Sequence, residues 1–258
     1  MVDAGINSIK SLNKALDILD YFVQKRTSIG VSDISSSLGL NKSTVHGVLN
    51  TLLQRGIVEQ DPATSKYRLG LFLLQFASVV LDSIEVRLVA KPYLEELVNR
   101  HGETVHLVVL RQGEVVYIDK QESPHAMRIS TEIGKRLPAH CTGVGKVLLA
   151  SLSEKELEFI LTERSLEKYT LNTITDPQTL KRQLQEIKNK GYATDNEEIE
   201  EGLRCVAAPI RDYLGQVVAA VSIAGPSMRM SLEKMESIAE SVKEIAGHIS
   251  TALGYSGK

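Results

Sequence analysis

The sequence predicts an α+β fold in which two domains of different character are joined by a helix. Apolar residues recur at helical spacing through the first 55 positions, and two short alternating segments follow. Residues 71–100 keep a helical pattern almost throughout. After Gly102 alternating strands are mixed with further helices, which is typical of a domain built on an antiparallel sheet. We therefore expect one domain at 1–70, a linker helix at 71–84 and a second domain at 85–258.

The composition is that of an ordinary globular protein, with an uneven distribution of charge. The 258 residues are 43% apolar and 24% charged, and the formal net charge is −2. These values exclude a disordered or fibrous chain and a uniformly basic nucleic-acid-coating protein. Residues 1–70 carry eight Lys or Arg and six Asp or Glu, whereas the rest of the chain carries 22 and 26. A mildly basic first domain suits a protein whose first domain alone contacts an anion.

The sequence gives no sign of export or of a membrane anchor. Cys141 and Cys205 stand far apart, so no disulfide framework is expected. The first ten residues lack the basic and apolar regions of a signal peptide. Apolar runs such as 217–221 are far shorter than the roughly 20 residues that span a bilayer. We expect a cytoplasmic protein without membrane contact.

The first 70 residues predict three helices followed by a hairpin. Ser11 is expected to cap the first helix, Ser32 the second and Asn41 the third, and Gly39 and Gly56 are expected to end the last two. The third helix covers 42–55. Strands at 57–60 and 66–69 flank a polar turn. This order of elements is the winged helix-turn-helix arrangement.

The third helix has an apolar stripe at positions 45, 48, 49, 52 and 53, which should face the domain core. Its polar face then suits the major groove, with Asn50 able to bond an adenine edge and His46 a guanine or a phosphate. On the second wing strand, Lys66 and Arg68 could reach the flanking phosphates. The alternative is a three-helix packing module whose polar face is merely solvated. The helix residues expected to contact DNA are Lys42, Ser43, Thr44, His46, Gly47 and Asn50.

The rest of the chain predicts a connecting helix and a mixed domain. Pro92 is expected to break the helical segment 71–100, and the apolar face of 71–81 suits a dimerising helix. Strands are predicted at 104–110, 114–120, 127–131, 205–211 and 216–224. Helices are predicted at 145–152, 154–163, 177–190 and 231–253.

Several chemical motifs in the second domain are incomplete. A P-loop would need Gly at His140 and Ser or Thr at Val147. His140 and Cys141 are adjacent, so on a strand they would point to opposite faces and could not form a catalytic pair. His101 and His106 lack the H-E-x-x-H spacing of a zinc pair. A metal on Cys141, Cys205 and nearby carboxylates is the alternative that remains. We expect neither a metal nor a cofactor.

The segment Thr142-Gly143-Val144-Gly145 precedes an apolar helix and is a candidate anion site. Free amides at a helix start attract a carboxylate or a phosphate, and glycine lets a ligand approach the backbone. A plain tight turn is the alternative.

The chain resembles the IclR family of bacterial transcription regulators along nearly its whole length. The DNA-binding domain is similar in SLNKALDILDYF and VSDISSSLGLNKSTVHGVLNTLLQRGIVEQDPATSKYRLG. The ligand domain is similar in GETVHLVVLRQGEVVYIDKQES, LPAHCTGVGKVLLASL, GYATDNEEIEEGLRCVAAPIRD and VVAAVSIAGP. The resemblance implies a winged helix-turn-helix dimer with a linker helix and a GAF-like effector-binding domain, often assembled as a dimer of dimers. Two positions depart from the family: Gly47, where many members carry Arg, and Ala224, where a second Ser is common.

The resemblance also implies an effector pocket. The implied lining residues are Leu137, Gly143, Val144, Asp195, Cys205 and Ser222, with His140 and Glu198 close by and Thr142 added by the anion-site argument. We expect a small organic acid, with its carboxylate on the 143–145 amides and its hydroxyl or keto end near Asp195, which would accept a hydroxyl proton. The expected function is a repressor of genes for organic acid or sugar-acid catabolism that binds a palindromic operator. The alternative is a small-molecule-binding enzyme that uses Cys141 or Cys205, with the first domain as an interaction module.

Overall fold

The computed structural model describes residues 8–257. The first seven residues and Lys258 lie outside the described residues. They belong to the predicted domains 1–70 and 85–258, respectively. Residues 1–7 are also most of the N-terminal segment in which no signal peptide is expected. The chain divides into one compact unit that ends at Ser83 and a second that begins at Ile84.

The first unit contains three helices and a two-stranded antiparallel wing. Their buried faces meet in one core that includes Ile18, Ile34 and Leu49. The starts of two helices differ from the prediction. The first helix begins at Lys10, one residue before the predicted cap Ser11. The second begins at Val31, so the residue that precedes it is Gly30, whose backbone is extended, and not Ser32. The elements are α1 (Lys10–Lys25), α2 (Val31–Leu38), α3 (Lys42–Gln54), β1 (Val58–Gln60) and β2 (Tyr67–Leu69).

The predicted helical segment 71–100 is two helices, α4 (Leu73–Asp82) and α5 (Glu85–His101), and the prediction that Pro92 breaks it was wrong. The break lies at Ser83–Ile84. Pro92 stays inside α5 because one face of this helix is fully buried, and packing outweighs one missing hydrogen bond. The carbonyl that loses its partner belongs to Leu88, whose side chain is exposed, so water can donate to it.

The second unit is built on a six-stranded antiparallel sheet in the order β5-β4-β3-β8-β7-β6. The prediction of a strand at 127–131 was wrong, because this segment is a loop in which Ile129 and Thr131 line a cavity. The strand that follows β4 along the chain is β5 instead. β6 was missed because it is short and polar. The strands are β3 (Thr104–Arg111), β4 (Glu114–Gln121), β5 (Arg136–Pro138), β6 (Ala193–Asn196), β7 (Leu203–Arg211) and β8 (Val217–Pro226).

Helices cover both faces of the sheet, which confirms the α+β class. α5 and the closing helix pack on one face, where Val206, Ala208 and Ile210 of β7 point. The other three helices of this unit pack on the opposite face, to which Ala207 points. This second face carries the cavity described below. The remaining helices are α6 (Gly143–Ala150), α7 (Glu154–Glu163), α8 (Pro177–Lys190) and α9 (Leu232–Ala252). Between residues 8 and 257, no helix is long and apolar enough to cross a membrane.

Candidate DNA-binding surface and ligand cavity

Helix α3 presents a polar face to solvent. Lys42, Ser43, His46, Gly47 and Asn50 are exposed, and Thr44 is half-buried. On the opposite side Val45, Leu49 and Leu52 are buried. Leu53 does not belong to this stripe: it is 37% exposed, because it stands one position past Leu52 in the last turn and points away from the core. The polar residues that the sequence singled out therefore lie together on one accessible surface.

The start of α3 is suited to an anion. In the described part of the chain the Asn41 side chain makes no capping bond, and the first turn holds no acidic residue. The free amides and the helix dipole are therefore open to a phosphate, and Lys42 adds a positive charge beside them. Beyond its chain neighbours and the backbone of its own helix, no described atom lies within 4 Å of a methyl group built on Gly47. A longer side chain would fit there without a clash, as in family members that carry Arg.

The wing supplies one exposed lysine and one paired arginine. Lys66 is exposed immediately before β2. Arg68 is paired with Glu59 of β1, with 3.0 Å between Nη2 and Oε2. Glu59 also accepts the Leu71 amide hydrogen at 3.1 Å, and these bonds lower the pKa of its carboxyl. The charge of Arg68 is therefore partly neutralised by Glu59, and Lys66 is the wing residue better placed to contact the phosphate backbone of DNA.

The second unit encloses a cavity of about 90 Å³ between the sheet and the loop that precedes β5. Six residues implied by the family resemblance or the anion-site argument line it, on five different elements and the residue before α6. The cavity is therefore assembled from segments far apart in the sequence. These six residues are Leu137, Thr142, Val144, Asp195, Cys205 and Ser222.

Three other predicted residues are not among those that line this cavity. His140 lines a separate hollow of about 260 Å³ with Tyr169, and its Nε2 lies 3.0 Å from the Glu167 carbonyl oxygen. Gly143 packs behind Cys205, since a methyl group built on it would lie 2.6 Å from Sγ. Glu198 is buried and forms an ion pair with Lys146. Gly143 and Glu198 support the wall rather than form it.

The expected anion site at the start of α6 is only partly open. The Thr142 side chain caps the helix, because its Oγ1 accepts the Gly145 amide hydrogen at 3.2 Å. A methyl group on Gly145 would lie 2.2 Å from the Ala139 carbonyl oxygen, so this glycine is required for close backbone packing. The Gly145 amide is therefore not free for a ligand, and the Gly143 amide is directed at the Cys205 sulfur, which leaves the amide of Val144.

Asp195 is the acidic group of the cavity wall. It is 1% exposed, and its Oδ1 accepts the Glu198 amide hydrogen at 2.8 Å. Burial raises the pKa of Asp195 to about 7. The nearby Lys146 is fully buried and bonded to Glu198. This pairing could not be predicted from the sequence, because Glu198 stands 52 positions from Lys146.

The cavity wall also contains polar groups that were not expected there from the sequence. His106 and Tyr117 line it, with their rings edge to face. The His106 Nε2 is hydrogen-bonded to the Thr131 hydroxyl, and burial, with the charges of Lys120 and Lys135, lowers its pKa to about 3. His106 is therefore neutral. Strand alternation was the available signal, since position 106 shares its face with the buried Val108.

The two cysteines are not activated as nucleophiles. Burial raises the pKa of Cys141 to about 12 and also raises that of Cys205. Both thiols are therefore protonated at neutral pH, whereas nucleophilic attack requires the thiolate. Within residues 8–257, no group of three or more His, Cys, Asp or Glu is arranged to hold a metal ion.

Two family models match the chain and together cover most of it. The IclR helix-turn-helix domain matches residues 11–62, and the bacterial transcriptional regulator IclR C-terminal model matches residues 78–251. Among curated proteins, the Escherichia coli K12 regulator XynR is 39% identical over 96% of this chain and 98% of its own length. The repressor AllR of the same strain is 36% identical over 95% and 90%.

Solved structures agree in fold. The Thermotoga maritima IclR structure is 37% identical with a TM-score of 0.79, covering 96% of this chain and 100% of that one. An IclR homologue from Microbacterium hydrocarbonoxydans, complexed with 4-hydroxybenzoate, is 30% identical with a TM-score of 0.82 over 94% and 98%.

Proposed function

The chain belongs to the IclR family and is a DNA-binding transcription regulator rather than an enzyme, and on that premise we propose that it is a repressor released by a small organic acid. The observation that carries the proposal is the cavity lined by Asp195, Cys205 and Ser222. A ligand that binds one arrangement of the protein better than another changes its affinity for DNA by that difference.

A small carboxylate suits this cavity in size and polarity. Its volume of about 90 Å³ admits a compact ligand. The amide of Val144 and the exposed Lys135 at the cavity edge would attract a carboxylate. The complex of the Microbacterium homologue with 4-hydroxybenzoate, itself a carboxylate, supports this ligand class.

A gel-shift experiment tests the regulator and its ligand together. The probes are DNA from upstream of the chain's own gene and of the neighbouring operons, with scrambled DNA as the control. Pyruvate-like, sugar-derived and aromatic acids are added in turn. We expect a specific shift that one class of acid weakens. A shift that no acid changes would contradict the ligand class, and no specific shift at any site would contradict the repressor.

Base contacts by α3 lead to a specific prediction. Asn50→Ala and His46→Ala should each weaken binding to the operator by about 1–3 kcal/mol and leave scrambled DNA unaffected. Fluorescence anisotropy on both DNAs measures the difference. Lys66→Ala is the control for phosphate contact, because it should weaken both DNAs alike and reduce the salt slope by about one. Unchanged discrimination in the Asn50 and His46 variants would move the sequence readout to another element.

Helix α4 leads to a prediction about assembly. None of its residues is buried by the part of the chain that the structure describes, although Leu74, Phe76, Val79 and Val80 are large and apolar. A palindromic operator is read by a two-fold protein, so we propose that α4 mediates a dimer. Sedimentation at micromolar concentration should show a dimer or larger species, and Val80→Glu should reduce its mass. Ser78→Glu adds the same charge to the same helix as a control. A monomeric parent would contradict the proposal.

A further inference from the structure

The buried charges around Asp195 do not balance when all of them are ionised. Lys146 is fully buried and bonded to Glu198, whose other oxygen, Oε2, has no hydrogen-bond partner within residues 8–257. Ionised Asp195 would therefore leave one net negative charge among these three buried groups. Neutral Asp195 leaves none. Since an unpaired buried charge is costly, the neutral form is the better match to this interior.

The other groups near Asp195 do not supply the missing positive charge. Cys205 faces it across the β6–β7 pair as a protonated thiol, and Tyr117 and His106 are neutral at pH 7. Lys135 and Glu200 are exposed at the edge of the cavity, with opposite charges in contact with water. The titratable groups facing Asp195 or sharing its cavity are Lys146 and Cys141 from α6 and its approach, Glu198 and Glu200 from the loop after β6, Cys205 from β7, Tyr117 from β4, His106 from β3 and Lys135 from the loop before β5.

We propose that Asp195 enters the ligand complex as a neutral carboxylic acid and donates its proton in a hydrogen bond to an oxygen of a monoanionic ligand. This inference rests on the proposed function, because it places the ligand in the same cavity. An ionised Asp195 would repel an anion at close range in a medium of low dielectric. Asp195 would thus select an anionic oxygen by donating a hydrogen bond to it, whereas the sequence led to the expectation that Asp195 accepts a hydroxyl proton from the ligand.

Proton uptake follows from this role. Above the pH at which Asp195 ionises in the free protein, each bound anion brings one proton from solvent onto the carboxylate. Burial raises the pKa of Asp195 to about 7. The dissociation constant for a fully ionised ligand should therefore be flat below about pH 7 and rise by up to about tenfold per pH unit above it.

Isothermal titration calorimetry of the full chain tests the linkage, with pyruvate and 4-hydroxybenzoate as probes from about pH 6 to pH 8.5. At the upper pH, buffers of different ionisation enthalpy should report the uptake of close to one proton per ligand. Asp195→Asn should bind with no pH dependence and no proton uptake, since its amide donates a hydrogen bond without titrating. Glu200→Gln, at the exposed edge, should keep the dependence of the parent.

A measurement without ligand keeps the two proposals separable. Infrared difference spectra of the parent between about pH 6 and pH 8.5 should show the loss of a protonated carboxyl band that Asp195→Asn lacks. No such band, or binding of a probe that is independent of pH, would overturn the role of Asp195 and leave the repressor proposal intact. Failure of both probes to bind at pH 6, where Asp195 is neutral, would contradict the ligand class, and the inference would fall with it.

Discussion

Lys146→Met is expected to lower the free energy of unfolding of the second unit by about 3–5 kcal/mol. The substitution fills a similar volume but removes the charge that neutralises Glu198, which is itself buried. Removing one partner of a buried ion pair leaves an uncompensated charge in the interior, and this destabilises the fold more than removing both partners. Denaturant unfolding at neutral pH measures the difference.

Two further variants make this result specific. Lys181→Met breaks the ion pair with Glu158, which lies at the surface, and should cost less than about 1 kcal/mol. Lys146→Met combined with Glu198→Gln removes both buried charges and should recover part of the loss. If Lys146→Met costs no more than Lys181→Met, the buried pair does not hold the cavity wall in place.

Ala224→Leu is expected to abolish the ligand response and to preserve DNA binding in the ligand-free form. Ala224 is buried and lines the cavity on β8, two positions from Ser222. Three additional carbon atoms there occupy much of the small space that a ligand needs. We expect at least ~100-fold weaker binding, equivalent to about 3 kcal/mol. Calorimetry measures the affinity, and gel shifts measure the response.

Ala224→Ser is the matched control for this variant. It adds a hydroxyl at the position where a second serine is common in the family, and it changes the volume little. We expect affinity at least equal to the parent, with a gain of about 1 kcal/mol if the hydroxyl bonds the ligand. A response of Ala224→Leu like that of the parent would place the ligand elsewhere. Gly143→Leu is a poorer test, because its first carbon would already collide with the Cys205 sulfur.

Two helices with strong local start signals could be predicted to the residue. Helix α7 begins after Ser153, whose side chain and that of Glu156 cap each other's backbone amides. Helix α8 begins after Asp176, which caps Thr179 and is followed by a proline. These signals lie within four residues of each other, so the sequence contains the whole interaction.

Features that depend on distant pairing could not be predicted. The hydrogen bond between Lys146 and Glu198 joins residues 52 positions apart, and neither residue has a local sign of burial. Asp195 meets Cys205 only through the register of β6 on β7. His140 faces a separate hollow, although in the sequence it adjoins residues of the ligand cavity. Family resemblance identified the segments of the site, whereas the direction of each side chain depended on the folded sheet.

The pairing of β3 with β8 has a consequence for when the second unit can fold during synthesis. Val105 near the start of the second unit pairs with Ile223 near its end, so the centre of the sheet waits for the last strand to be synthesised. Ser222 and Ala224, which complete the cavity, lie on that strand. A premature stop codon before β8 would therefore leave a chain that retains every residue of the DNA-binding surface but has no place for a ligand. Under the proposed function, such a truncated regulator could not be released from its operator by a small organic acid.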